Sequence, residues 1–315
     1  MSTTSLPYLL AANASAPRGF DYAQLDVFAE KHLQGNQLAV FTNANGLSTG
    51  EMQALARETN LSETTFILPR DAAIERERGV QVRIFTVQEE LSFAGHPTLG
   101  SASWLYWNHP VLRGAQTITL DLRVGPISVR FRPTQDDETG VFGTMQQNAP
   151  VFGAIHDRSA LAAALNLSTD DLDPDLPGQT VSTGMAFCIV PLRSLAVAER
   201  LQVPPSSQSY LDRSDAKFFH CITRAAPSSG ADWHARMQFY NGEDPATGSA
   251  SGCAIAYLVH HGLVASGQQV VFEQGVEMLR PSRIHVQAST LDGIVSKVFV
   301  GGRTIHVASG RFFLP

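Results

Sequence analysis

Four residues of this 315-residue chain combine side-chain type and setting in a way that suits proton transfer: Glu63, His96, Asp244 and Ser249. Glu63 lies in a Ser-Glu-Thr-Thr turn leading into an apolar stretch, where partial burial would raise its pKa toward neutrality and fit it for acid–base work. His96 and Asp244 open two stretches that read almost alike, His-Pro-Thr-Leu-Gly-Ser-Ala-Ser and Asp-Pro-Ala-Thr-Gly-Ser-Ala-Ser. The offset between them is 148 residues (244 − 96), and internal duplication is the simplest reading. It pairs His96 with Asp244 across a cleft, one able to donate and the other to accept, with Ser249 one turn into the second helix. The plainer alternatives are a solvated turn carboxylate for Glu63, a capping side chain for His96 and an ordinary N-cap for Asp244.

Each twin has the local chemistry of a helix start that receives an anion. A polar side chain precedes a proline suited to the first turn, and small residues let a ligand approach the free N–H groups of that turn. Two such ends meeting across a pseudo-dyad would make one carboxylate-sized site. Gly95, Thr98, Leu99, Gly100 and Ser101 would line it from the first copy, and Thr247 and Gly248 from the second.

The elements that must carry these residues follow from pattern. Residues 98–107 and 251–260 are small or apolar nearly all round, which predicts two buried central helices wrapped by strands. Ser48 or Thr49 as cap, with Glu51 as capping-box partner, predicts a helix ahead of Glu63. Residues 117–122 and 127–131 read as a hairpin around Gly125-Pro126, and 294–300 and 303–307 as strands joined by a tight turn at Gly301-Gly302. Strands dominate each half, which is not the alternation of a doubly wound sheet. The expected fold is α+β, with two pseudo-symmetric lobes, each a curled, mostly antiparallel, barrel-like sheet around a central helix. Residues 20–134 with 305–315 form the first lobe and 135–304 the second. Residues 1–19 read as a loose leader, and the polar, acidic run 134–140 as the linker.

Composition narrows the function. A net charge of −6 without any Lys/Arg-rich run argues against nucleic acid as the main partner. Cys188, Cys221 and Cys253 are widely spaced and read as buried free thiols of a reducing compartment. No signal segment or membrane span is evident, so the cytoplasm is the expected location. No His/Cys/Asp cluster has metal-ligand spacing, and Gly-x-Gly-x-x-Gly, Walker and Gly-x-Ser-x-Gly motifs are absent. Neither metal nor cofactor is expected.

Several motifs in order carry a resemblance: Asp26-Val27-Phe28, Gly35-Asn36, Leu38-Ala39-Val40-Phe41, Asn60 to Phe66, Arg83-Ile84-Phe85-Thr86, Glu90-Leu91, Phe93 to Gly100 and Glu243 to Ala250. Over roughly residues 22–312 the chain resembles the PhzF-like family of phenazine biosynthesis. The resemblance implies a diaminopimelate-epimerase-like fold with the site between the lobes, a homodimer, and a cofactor-free isomerase acting on a small carboxylic acid. It implies Glu63 as the acid/base, with His96, Asp244 and Ser249 as polar partners. Related racemases use a cysteine at each helix start, where this chain has Gly95-His96 and Asp244, so a two-thiol racemase is disfavoured. A racemase with Glu63 and another base, and a non-catalytic binding or scaffolding protein, are the competing functions. Val87 stands where the family commonly has proline and Leu279 where glycine is usual, ahead of Arg280-Pro281-Ser282.

Overall fold

The computed structural model describes residues 17–133, 139–239 and 242–315. Most of the expected leader and linker lies outside them, and Arg18 and Gly19, read as leader, already belong to the first strand.

The first half of the chain runs β1 (Arg18–Val27), β2 (Asn36–Phe41), α1 (Thr49–Thr59), β3 (Glu63–Leu68), α2 (Ala72–Arg78), β4 (Val80–Phe85), β5 (Glu90–Leu91), α3 (Gly95–Asn108), β6 (Thr117–Leu122), β7 (Gly125–Phe131) and β8 (Val141–Gln147). The second half begins with β9 (Val151–Ile155), α4 (Arg158–Ala164), β10 (Gln179–Ser182), β11 (Ala186–Pro191), α5 (Leu195–Glu199) and α6 (Gln208–Leu211). It ends with β12 (Phe218–Arg224), β13 (Trp233–Phe239), β14 (Gly242–Asp244), α7 (Gly248–His260), β15 (Gln269–Gln274), β16 (Ser282–Leu291) and β17 (Ile294–Leu314).

Strands β1, β2, β3, β4, β6, β7, β8 and β17 pair in succession and close into a barrel around α3. The pairs β2–β3 and β4–β6 are parallel. Parallel neighbours need a crossover; α1 supplies the first and α3, passing through the barrel, the second. The second half repeats the scheme, with β11–β12 and β13–β15 parallel and α7 in the middle. Both central helices are buried, and one continuous apolar core includes Leu99, Ala102 and Leu105 of α3 with Ala254, Ile255 and Leu258 of α7. The α+β, two-lobed, barrel-around-a-helix architecture is therefore as expected.

The lobes exchange strands. The first part of β17 pairs with β16 and β8, and its last part, from Thr304, pairs with β1. Correspondingly, β8 pairs within the first barrel and β9 pairs with β10 of the second. The expected turn at Gly301-Gly302 is overturned, because β17 is one strand from Ile294 to Leu314. These glycines serve close approach: a Cβ on Gly301 would lie 2.7 Å from the Gly143 carbonyl oxygen, and one on Gly302 2.4 Å from Phe28 Cδ1.

The duplication is real, but its register differs from the twin motifs. The antiparallel partners Ile84/Leu91 and Phe85/Glu90 recur as Met237/Asp244 and Gln238/Glu243. Arg83 grips Glu90 through Nε and Nη2 at 2.7 Å each, and Arg236 grips Glu243 at 2.8 and 2.7 Å. Thr98 Oγ1 donates to the Ala94 carbonyl at 2.7 Å as Ser251 Oγ donates to that of Thr247 at 3.0 Å. Every pair is 153 residues apart (248 − 95 for the helix starts). The shared Gly-Ser-Ala-Ser consequently falls on different turns of the two helices, and His96 is equivalent to Ser249 rather than to Asp244.

All three cysteines are buried and free, as read. Among the described residues no helix is long and apolar enough to cross a membrane.

Candidate active site

Local sequence delivers each side chain to one place. Ser48 and Glu51 form the expected capping box on α1, and Asn60 ends that helix in the left-handed conformation, which turns the chain into β3 with Glu63 as its first residue. Gly35, at φ 68°, reverses the chain so that β2 starts with Asn36. His96 occupies the first turn of α3, and Asp244 ends β14, three residues before the Thr247 N-cap of α7.

The two helix starts abut. A Cβ on Gly95 would lie 3.3 Å from the Ser249 backbone nitrogen and 3.7 Å from the Gly248 carbonyl carbon. Neither N-cap residue, Ala94 or Thr247, caps its own helix with its side chain. Two sets of first-turn N–H groups, each with the positive end of a helix dipole behind it, therefore converge. The Thr247 hydroxyl donates instead to Asp244 Oδ2 at 2.6 Å, and Gln274 Nε2 donates to the Asp244 carbonyl at 2.7 Å.

Around this junction sit the ionisable groups. Glu63 Oε2 is 3.5 Å from His96 Nε2. The Asn36 amide donates to Asp244 Oδ1 at 2.7 Å and to the Ala246 carbonyl at 3.0 Å, and stands 3.3 Å from His96 Nδ1. Glu63, His96 and Asp244 are thus brought together, as the sequence reading required. Burial, reinforced by the charge of Asp244, lifts the Glu63 carboxyl to about 8. Burial lifts Asp244 to about 6 against the hydrogen bonds from Thr247 and Asn36. Burial pushes His96 down to about 3, opposed by a hydrogen bond with the Gln37 backbone. Near neutrality the site holds a protonated Glu63, an ionised Asp244 and a neutral imidazole.

Gly95, Thr247, Gly248 and Ser249 lie at the junction, where they were expected. Thr98, Leu99, Gly100 and Ser101 do not reach it, because α3 begins earlier than residue 98 and they fall within its buried first turns. The Thr98 hydroxyl is taken by the Ala94 carbonyl, Leu99 packs in the core, and Ser101 donates to Thr65 Oγ1 at 2.9 Å. A Cβ on Gly100 would lie 2.5 Å from Leu38 Cδ2. Asn36 and Gln274 were missed as site residues. The Gly35-Asn36 turn signalled the first; a glutamine within a strand gives no signal for the second. Among the described residues no cluster of His, Cys, Asp or Glu could hold a metal ion.

The family model for phenazine biosynthesis-like proteins, PhzC-PhzF, matches residues 25–310. The chain belongs to the PhzC-PhzF family. This PhzC-PhzF protein is 35% identical over 300 residues to trans-2,3-dihydro-3-hydroxyanthranilate isomerase of Pseudomonas aeruginosa, covering 93% of this chain and 99% of that one. Among solved structures, a predicted epimerase of Pseudomonas aeruginosa superimposes with a TM-score of 0.78 at 37% identity, covering 95% of this chain and 99% of the other. A PhzF-family phenazine biosynthesis protein of Bacillus anthracis does so with a TM-score of 0.81 at 25% identity, covering 94% and 99%. The fold is the diaminopimelate-epimerase-like one of this family, and the PhzC-PhzF protein is an isomerase.

Proposed function

We propose that this isomerase moves a proton on a small carboxylic acid by general acid–base catalysis at Glu63, without a cofactor. The observation that carries the reading is the raised Glu63 carboxyl beside His96, next to two uncapped helix starts that face each other. The paired N–H groups suit the substrate carboxylate, and Ser249 adds a hydroxyl at that end. A carboxylate whose conjugate acid titrates near 8 is basic enough to take a proton from an activated carbon, and it then holds that proton for delivery elsewhere on the same molecule. His96, beside Glu63, positions or protonates the substrate, and Asp244, ionised near neutrality, positions it. The name of the Pseudomonas aeruginosa relative points to a cyclic, amino-substituted acid as the substrate class.

The test is proton exchange. Cyclic amino-substituted carboxylic acids are incubated with the protein in heavy water, and deuterium uptake is followed with the parent and with Glu63→Gln. The parent is expected to exchange and isomerise substrate, and the variant to lose ~10²–10⁴-fold in rate while still binding. Binding without exchange by the parent supports the non-catalytic reading instead.

We also propose a homodimer. Val151 and Ile155 on β9 are about two-thirds exposed, at 67% and 65%, and a second copy would cover them. Light scattering of the purified protein tests this, a monomer mass being the contrary result.

A further inference from the structure

The turn that delivers Asn36 is held from the other lobe. Arg280 Nε donates to the Gly35 carbonyl at 2.9 Å, and its Nη2 donates to the Gln34 carbonyl at 2.8 Å and to Asp26 Oδ1 at 2.7 Å. Asp26 Oδ2 accepts from the Leu33 N–H at 2.6 Å, and the Gly35 N–H donates to the Pro281 carbonyl at 3.0 Å. Asp26 is itself buried, so the ion pair is anchored on the inner side. The same loop reaches Asp244 from its opposite end. Gln274 Nε2 donates to the Asp244 carbonyl and, at 2.9 Å, to Thr247 Oγ1, while its Oε1 accepts from the Thr247 N–H at 3.2 Å. The Arg280 N–H closes the loop onto the Gly275 carbonyl at 3.0 Å. Residues 274–281 therefore form a strap that grips both the turn presenting Asn36 and the loop presenting Asp244.

We infer that Arg280 is a positioning residue for the proton transfer: by fixing the Gln34 and Gly35 carbonyls it holds the Asn36 amide against Asp244 and His96. Its relevance to catalysis rests on the function proposed above, whereas the link from Arg280 through Asn36 to Asp244 is measurable without substrate. Arginine suits the task because one planar fork reaches three acceptors, which an ammonium on a flexible stem does not hold in register. Asp244 is faced by two donors, Asn36 and Thr247, and by the carboxyls of Glu243 and Glu63. Withdrawing the Asn36 N–H removes a hydrogen bond to the charged form of Asp244, so the carboxyl should protonate at higher pH.

The experiment is a carbon-13 NMR titration of the aspartate carboxyls in the full chain, with Asp244 assigned by the loss of its signal in Asp244→Asn. Asn36→Ala and Arg280→Lys are each expected to move the Asp244 midpoint upward by about one pH unit. The inference is overturned if Arg280→Lys leaves the midpoint at the parent value, whether or not Asn36→Ala moves it. Should Arg280→Lys fail to fold, Asp26→Asn/Arg280→Gln replaces the ion pair by an amide pair, and the same shift is expected of it. In turnover, the Arg280 variant should lower kcat more than it raises KM. A fall in kcat with the Asp244 titration unmoved would make Arg280 a fold residue only.

Discussion

Glu63 Oε2 lies 3.5 Å from His96 Nε2, and among the described residues neither atom has a hydrogen-bond partner. An acid and an imidazole that are buried, adjacent and unbonded are destabilising unless a substrate atom or a transferred proton joins them. Function and stability should therefore oppose each other at Glu63. The folded-state pKa, about 8, is raised above the ordinary value of 4.5, so the favourable contribution is complete below about 4.5 and lost as pH rises through 8. Glu63→Gln cannot ionise. It should match the parent in stability near pH 4 and exceed it at pH 9 by on the order of a few kcal/mol. Denaturant melts at the two pH values check this, and equal stability at pH 9 would contradict a strongly raised Glu63.

The pH profile of turnover follows from the same group. If the ionised form of Glu63 takes the first proton, kcat/KM of the parent rises with pH toward about 8 and then levels off. A rate that instead falls with pH over the range 7–9 would assign Glu63 as the initial acid.

Gly95 keeps the two helix starts clear of side chains. A methyl there stands 3.3 Å from the Ser249 nitrogen, a contact the backbone can relieve by a small shift. Gly95→Ala should fold, with a stability loss of no more than about 1 kcal/mol. It should also lose at least about tenfold in kcat/KM, chiefly through KM, because the methyl occupies the carboxylate's approach. A variant with normal KM places the substrate carboxylate elsewhere.

Leu279 sits at φ 58° and is 86% exposed, where the resemblance leads one to expect glycine. Leucine in the left-handed region costs about 1 kcal/mol and recovers nothing here from packing. Leu279→Gly should therefore stabilise the protein by about that amount, raising Tm by roughly 2 °C. Calorimetry decides it, and a lowered Tm would show that the leucine makes a compensating contact.

His234 lies between Glu273, 3.1 Å from Nδ1, and Glu277, 2.9 Å from Nε2. Burial alone would disfavour the imidazolium, but the two carboxylates outweigh it and lift His234 to about 9. Its contribution is complete below about 6.5 and disappears as pH rises through 9. By the 153-residue offset, the first lobe has Gln81 at this position. His234→Gln should be destabilised most near pH 6, by about 3 kcal/mol, and approach the parent above pH 9. A destabilisation independent of pH would argue against a charged His234.

The fold and the meeting of Glu63, His96 and Asp244 were legible for different reasons. Helices α3 and α7 announce themselves by being small and apolar on every face, and Ser48 with Glu51 marks the start of α1. The strands β8, β9 and β10 went unread. The buried face of β8 is Val141, Gly143, Met145 and Gln147, which breaks the apolar alternation, and β9 is mostly exposed. Helix α2 buries no residue, so it has no apolar period to show. The twin motifs pointed to the right pair of helix starts through the wrong register. Gly-Ser-Ala-Ser recurs because any helix threaded through a narrow barrel needs small residues, while the inherited correspondence lies in the Arg83–Glu90 and Arg236–Glu243 clasps. The pairing of Arg280 with Asp26, 254 residues apart, carries no local signature.

Because the end of β17 completes the first barrel and β9 joins the second, neither half owns all its staves. A half-length ancestor with this topology seals its seam only by trading its terminal strand with a twin. In this chain that trade is internal, so neither barrel closes without the other and the two helix starts meet where the halves interlock.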